Sequence, residues 1–288
     1  MSIKKVLIVA KKSAYQIYFN EYQEQPLREL ARRGDQALLG IRRAHNAHYE
    51  TLALVKAVLK KKNLPFDTCF RGEPFNPQKY GLVISVGGDG TFLEASRQLK
   101  KQMILGVNSD KNHSVGKLCV SDGPHFKKHL DKILRGKFKI KPLRRVKIIF
   151  NGKALNFFVL NDVLISHRSP AAMSHYLLNV GSLSERQRSS GVWIATAVGS
   201  TAAVHSAGGR RMPEGSASFQ YLPRELFEGY GQHFRLRGGV IGRRKSFSVV
   251  SQMQEGMLYL DGAHRSMPFE YGDKIRISAG TPLRTVQF

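Results

Sequence analysis

The chain has 288 residues, 42% of them hydrophobic, which is enough to bury a large core and to divide into two domains. Its 46 Lys and Arg against 21 Asp and Glu give a formal charge of +25, a balance that suits nucleic acid, an anionic membrane or phosphorylated small molecules. Two cysteines, Cys69 and Cys119, exclude a disulfide framework or a cysteine zinc site and fit a reducing cytoplasm. The basic residues fall in twos and threes (Lys60-Lys61-Lys62, Arg210-Arg211, Arg243-Arg244) without a basic arm, zinc-finger or RNP pattern, so no dedicated nucleic-acid partner is expected.

VLIVA, Val6 to Ala10, reads as a first strand. It follows Met1 to Lys5 directly, too short a lead for a secretory core or a membrane span, so neither a targeting segment nor a membrane partner is expected. KKSAYQIY then leads toward a helix. Residues 44 to 62 place Leu52, Val55 and Leu59 on one helical stripe and end in lysines that suit the negative end of the helix dipole, and Asn63-Leu64-Pro65 stops them. After a proline loop, LVISV at 82 to 86 suits a strand buried on both faces, and Phe92, Leu93, Ala95 and Leu99 predict a helix over about 92 to 101. MILGV is the next strand. It ends at Asn108, with Ser109 and Asp110 beyond it at the edge where open α/β sheets bind ligands. Phe126, Leu130, Ile133 and Leu134 share a face of a helix over 124 to 135. From about 139 the texture changes to short strand-like runs: KIKPLRRVKIIF, KALNFFVLNDVLIS, MSHYLLNVG, GVWIATAV, KSFSVVSQ, GMLYLDG and DKIRISAG. Residues 208 to 239 read as loop with one short helix near Pro223 to Phe227. The pattern predicts an α/β domain over 1–138 with a Rossmann-like parallel sheet, and a β-rich domain over 139–288 whose C-terminal tail can pack back on the first.

The chemistry collects in three segments. Between LVISV and the following helix stand Gly87, Gly88, Asp89, Gly90 and Thr91, a strand-to-helix turn whose glycines let an anionic phosphate lie against amides at a helix N-terminus. Asp89 repels such a guest unless it binds a metal or accepts a proton from an attacking group, although an aspartate near an N-cap also stabilises a helix without doing chemistry. The turn has neither the P-loop lysine nor GxGxxG spacing. Asn161-Asp162 interrupts an otherwise strand-like run. This pair reads equally as ribose or adenine contacts and as a bulge or turn with local backbone bonding. GVWIATAVGSTAAVHSAGG, residues 191 to 209, sets Thr196, Ser200, Thr201, Ala202 and Ser206 among small residues. It suits either close approach of a ligand or a helix N-cap packed on a sheet. Asp261-Gly262 reads as an ordinary hairpin turn.

Together GGDGT at 87 to 91, LNDV at 160 to 163 and TAVGSTAAVHSAGG at 196 to 209 resemble the NAD kinase family, over roughly residues 82 to 265, and RSSG at 188 to 191 is most similar to the branch that includes mitochondrial NAD kinases. The resemblance implies a ligand cleft between the two domains and ATP-dependent phosphorylation of the adenosine-ribose 2′-hydroxyl of NAD or NADH. In that reading Asp89 is the base and Mg2+ accompanies the ATP. Gly88, Gly90 and Thr91, with Gly87, line the phosphate site, and Asn108 follows the next strand. Asn161 and Asp162 hold adenine or ribose, Arg188, Ser190 and Thr196 belong to the nucleotide site, and Thr201 to Ser206, preceded by Ser200, lie along the NAD. No metal is held by the protein itself, and a cytoplasmic homodimer or homotetramer is expected. Three departures stand out: SDKNHSVGKL follows Asn108 in place of a short glycine turn, Ser190 stands where many members have aspartate, and Ala203 where many have tyrosine. The alternatives are a lipid kinase of the diacylglycerol or sphingoid-base type, against which the GST and SAGG segment argues, and a nucleotide sensor without catalysis.

Overall fold

All five residues of β1 (Val6–Ala10) are buried, as are all six of β3 (Leu82–Gly87) and β4 (Met103–Asn108), which is the signature of parallel strands covered on both faces. In the computed structural model these strands pair in parallel register, Val6 with Leu82 and Leu82 with Met103. The structure describes residues 3–229, 231–242 and 244–288; Met1, Ser2, Tyr230 and Arg243 lie outside the described residues. The chain divides into two units, 1–141 with 284–288, and 142–283.

The sheet of the first unit runs β2 (Phe66–Phe70), β1, β3, β4, then the C-terminal strand Leu283–Gln287 and β6 (Lys139–Leu143), with the short β5 (Ser121–Asp122) beside β4. Its helices are α1 (Gln25–Arg32), α2 (Gln36–Lys61), α3 (Asp89–Ser96) and α4 (Gly123–Leu134), with a π-helical turn over Tyr15–Glu21. Leu52, Val55 and Leu59 of α2 and Phe126, Leu130 and Ile133 of α4 pack on Val6, Ile8, Ile84, Val86 and Leu105. Two differences from the sequence pattern have physical causes. α2 begins at Gln36, well before 44, because its first turns are mostly exposed and carry little apolar periodicity. β2 lies at the sheet edge with only Cys69 buried, so FDTCF lacks the apolar run that marks a central strand.

The second unit is two antiparallel sheets of six strands, β11-β10-β15-β18-β7-β8 and β14-β13-β12-β9-β16-β17. The first comprises β7 (Val146–Phe150), β8 (Lys153–Val159), β10 (Ser174–Val180), β11 (Leu183–Ser189), β15 (Phe247–Ser251) and β18 (Lys274–Ala279). The second comprises β9 (Asp162–His167), β12 (Val192–Thr196), β13 (Phe219–Pro223), β14 (Gly239–Ile241), β16 (Gly256–Leu260) and β17 (Ser266–Pro268). Tyr176, Leu178, Val249 and Ile148 of one sheet share a core with Ile165, Ile194, Tyr221 and Leu258 of the other. The run KALNFFVLNDVLIS is therefore two strands: β8 belongs to one sheet, β9 to the other, and the chain changes sheets at Leu160-Asn161. The helix expected near Pro223 to Phe227 is absent. Phe219, Tyr221 and Pro223 point inward from β13, which pairs with β12, and Glu225 takes a positive φ of 39° that no helix admits.

Candidate active site

In the first unit, Gly87 ends β3, Gly88 is the N-cap of α3, and Asp89 is its first residue. A side chain on Gly88 would collide with Ser114, and one on Gly87 with Thr91, so the close packing of this turn requires glycine at both positions. The two carboxylate oxygens of Asp89 accept main-chain N–H groups from the segment that departs from the family pattern: Leu118 donates to Oδ1 at 2.7 Å and Lys117 to Oδ2 at 3.0 Å. Each oxygen keeps a lone pair free to take a proton.

Asn108 pairs with Gly87 across β3 and β4, which brings it beside the loop. It is 6% exposed, and its side chain pins the 109–118 segment, accepting from Asp110 N and donating to Ser114 O, each at 3.1 Å. Asp110 in turn accepts from Asn112 N at 3.1 Å and from His113 Nδ1 at 2.9 Å. Thr91 lies 1% exposed beneath the turn, and its hydroxyl has no hydrogen-bond partner among the described residues. Burial and the nearby Asp89 charge push the Cys119 thiol up to about 12, so it stays protonated. The structure thus gathers Gly87, Gly88, Asp89, Gly90, Thr91 and Asn108, with Gly90 the exposed member.

The second unit builds a separate constellation around the sheet change. Asp261, just beyond β16 with φ 51°, accepts N–H groups from Leu160 at 3.1 Å and Asn161 at 2.6 Å. Thr196 holds the same turn: its hydroxyl donates to Leu160 O at 2.5 Å and accepts from Val198 N and Gly199 N, and its N–H donates to Asn161 O at 2.8 Å. Gly199 sits against the Asn161 main chain, where a Cβ would collide with the backbone. No local backbone bonding by the Asn161 or Asp162 side chains is seen among the described residues; the Asp261 carboxylate, 100 residues beyond Asn161, does that work. An aspartate in a hairpin turn carries no local sign of so distant a partner. Asp162 is 6% exposed, and burial together with the Asp261 charge pushes its carboxyl up to about 7. Arg145, lowered to about 10 by burial, is the cation that Asp261 supports.

The Ser200 hydroxyl, expected to face a ligand, is fully buried. It donates to Ala197 O at 2.7 Å and accepts from Met212 N at 2.9 Å, so it builds the turn. Thr201 and Ser206 are exposed and Ala202 is half-buried, the last two in or beside the short α5 (Ala203–Ser206). Arg188 and Ser190 stand apart from this group. Ser190 N donates to Arg224 O at 2.9 Å, and Ser190 lines a recess with His167, Arg168, Arg224 and Tyr259. Arg188 lies over the Phe227 ring, 5.1 Å from its centroid. The length of β12, roughly 16 Å at about 3.3 Å per residue, separates this end from Thr196.

A parallel α/β unit with a glycine-aspartate turn at its carboxyl edge, followed by a two-sheet β unit, is the class of α/β protein that binds ligands at that edge of its sheet. The family description "ATP-NAD kinase N-terminal domain" matches residues 6–138. A rice protein (Oryza sativa subsp. japonica) named "Probable NADH kinase" is 36% identical over 262 residues, 83% of this chain and 81% of that one. An NADH kinase of Arabidopsis thaliana is 31% identical over 270 residues, 83% of each chain. The yeast NADH kinase solved with NADH superposes with a TM-score of 0.71 over all of this chain and 84% of that one, at 14% identity, which is a likeness of fold. The chain belongs to the NAD kinase family. Among the described residues, no helix is long and apolar enough to cross a membrane, and no three His, Cys, Asp or Glu side chains gather to hold a metal ion.

Proposed function

We propose that this chain transfers the terminal phosphoryl group of ATP to the 2′-hydroxyl of the adenosine ribose of NAD and NADH, giving NADP and NADPH. One observation carries the reading: Asp89, at the start of α3, has each carboxylate oxygen aimed by a main-chain N–H while keeping a lone pair open. In the transfer, the ribose oxygen forms a bond to the terminal phosphorus, the bond from that phosphorus to the bridging oxygen breaks, ADP leaves, and Asp89 takes the hydroxyl proton. Gly88 and Gly90 offer main chain to the phosphates. Asn161, Asp162, Thr201, Ala202 and Ser206 bind the dinucleotide, and Arg188 and Ser190 serve its far end. Thr196 and Ser200 act through the turn they build. Mg2+ would come with ATP and neutralise phosphate charge when bound.

Purified protein with ATP, Mg2+ and either NAD or NADH is expected to form NADP or NADPH, and side-by-side rates set the preference between them. ATP consumption only with a diacylglycerol or sphingoid-base suspension would support a lipid kinase, and binding of nucleotide without product would support a sensor. We further propose a cytoplasmic homodimer or homotetramer. Light scattering on a sizing column reads the assembly, and fractionation reads the compartment.

A further inference from the structure

Two cations beside the glycine turn have no role in the chemistry described so far. Lys11 follows β1 and Arg71 follows β2, and Arg71 N donates to Ala10 O at 2.9 Å, so both side chains leave the carboxyl edge of the sheet next to β3. The Arg71 guanidinium reaches back to the turn: its Nη1 stands 3.7 Å from where a Cβ on Gly90 would be. Both are partly buried, and burial lowers the pKa of both; Asp110 then raises Lys11 and Glu94 raises Arg71, while the Arg71 charge lowers Lys11 and the Arg97 charge lowers Arg71. Among the described residues neither head group has a hydrogen bond or an ion pair.

The nearby acids are already engaged elsewhere. Glu94 accepts from Arg97 Nη1 at 2.6 Å, and Asp110 accepts from Asn112 and His113. Under Lys11, the buried His48 donates from Nε2 to Lys11 O at 2.8 Å and accepts from Ser109 Oγ at Nδ1, 2.9 Å; burial first, then the Lys11 charge, lower it to about 4 and keep it neutral. Two partly desolvated cations on one sheet edge, whose neighbouring carboxylates Asp110 and Glu94 bond other partners, form an arrangement an anion stabilises.

We propose that Lys11 and Arg71 bind the phosphate chain of the donor, reaching it from the β1 and β2 side of the Asp89 turn. This rests on the ATP-dependent transfer proposed above. A terminal phosphate at the glycines would place the rest of the chain within reach of a guanidinium that forks around two oxygens and of an ammonium acting as a point charge.

The full chain and its Lys11→Ala, Arg71→Ala and Arg71→Lys variants test the assignment through the KM for ATP, the KM for NAD or NADH, and the Kd of inorganic tripolyphosphate by calorimetry. Each alanine variant is expected to raise the ATP KM and the tripolyphosphate Kd about tenfold or more while the dinucleotide KM stays within about twofold. Arg71→Lys recovers part of the loss. Unchanged tripolyphosphate binding in both alanine variants, or a dinucleotide KM that rises as much as that for ATP, overturns the assignment. Should the wild-type chain form no NADP or NADPH, the proposed activity fails, while tripolyphosphate binding by wild type and its loss in the variants still decides the phosphate site. Should Arg71→Ala not fold, Lys11→Ala and Arg71→Lys carry the same readouts.

Discussion

Asp89 orders a loop and, in the proposed transfer, takes the hydroxyl proton, since a carboxylate has about four lone-pair directions and the Lys117 and Leu118 amides use only two. Asp89→Asn keeps an acceptor for one amide, turns an NH2 toward the other, and cannot act as base. Turnover is expected to fall by roughly 10²–10⁴-fold while the Kd for NAD or NADH stays within a few-fold, measured by NADP formation and by titration. A variant that turns over at near wild-type rate would remove Asp89 from the role of base. Asp261 is the structural counterpart in the second unit. Asp261→Ala strands the Leu160 and Asn161 amides, each an unmet buried donor worth about 1–3 kcal/mol, so a clear drop in thermal midpoint should accompany a higher KM for the dinucleotide. Asp162 gives a pH signature. Its carboxyl, held near 7 against an ordinary 3.8, keeps its proton in the folded state after the unfolded chain has lost it. Between those values the native state binds more protons, so this group's stabilising contribution falls as pH rises from about 4 to about 7 and is then lost. Urea midpoints at about pH 5 and pH 8 should differ less in Asp162→Asn than in wild type; an equal difference would assign the effect to another group.

At the level of elements, the second unit's constellation depends on a place where the chain passes very close to itself. Gly199 lies against the Asn161 main chain, and Gly199→Ala would push the turn after β12 away from the sheet change, at a cost of about 1–3 kcal/mol. Its expected signature is a raised KM for the dinucleotide with the ATP KM unchanged, and a KM for ATP that moves equally would show the two constellations to be coupled. The glycine turn and the strands on either side of it were legible as residues, because burial of β1, β3 and β4 on both faces leaves continuous apolar runs. β11 was not legible: LSERQRS alternates exposed polar residues with few buried ones and reads as loop until it pairs with β10. The 109–118 segment was equally opaque. Its contact with Asp89 comes from main-chain N–H groups, which every residue carries, so side-chain identity gives no hint of it.

Across the molecule, the second unit is inserted in sequence between β6 and the C-terminal strand, and the strand Leu283–Gln287 returns to pair with β4 in parallel register, Arg284 with Met103. Val286, 1% exposed, packs in the same core as Ile84 and Phe126. Val286→Ala is expected to destabilise by roughly 1–3 kcal/mol, seen as a lower thermal midpoint, even though the substitution stands far along the chain from the rest of that core. An unchanged midpoint would show that the returning strand contributes little. By itself the sequence determined the kind of fold and the family: apolar periodicity is local, and the GGDGT, LNDV and GST-SAGG segments each carry their resemblance within a short run of residues. Only the tertiary structure decided that Asp261 organises Asn161, that Ser200 and Thr196 face inward, that Ser190 stands the length of β12 away from them, and that Lys11 and Arg71 share the edge beside Asp89. Those facts are distances between residues far apart in the chain, and packing, not local preference, sets them.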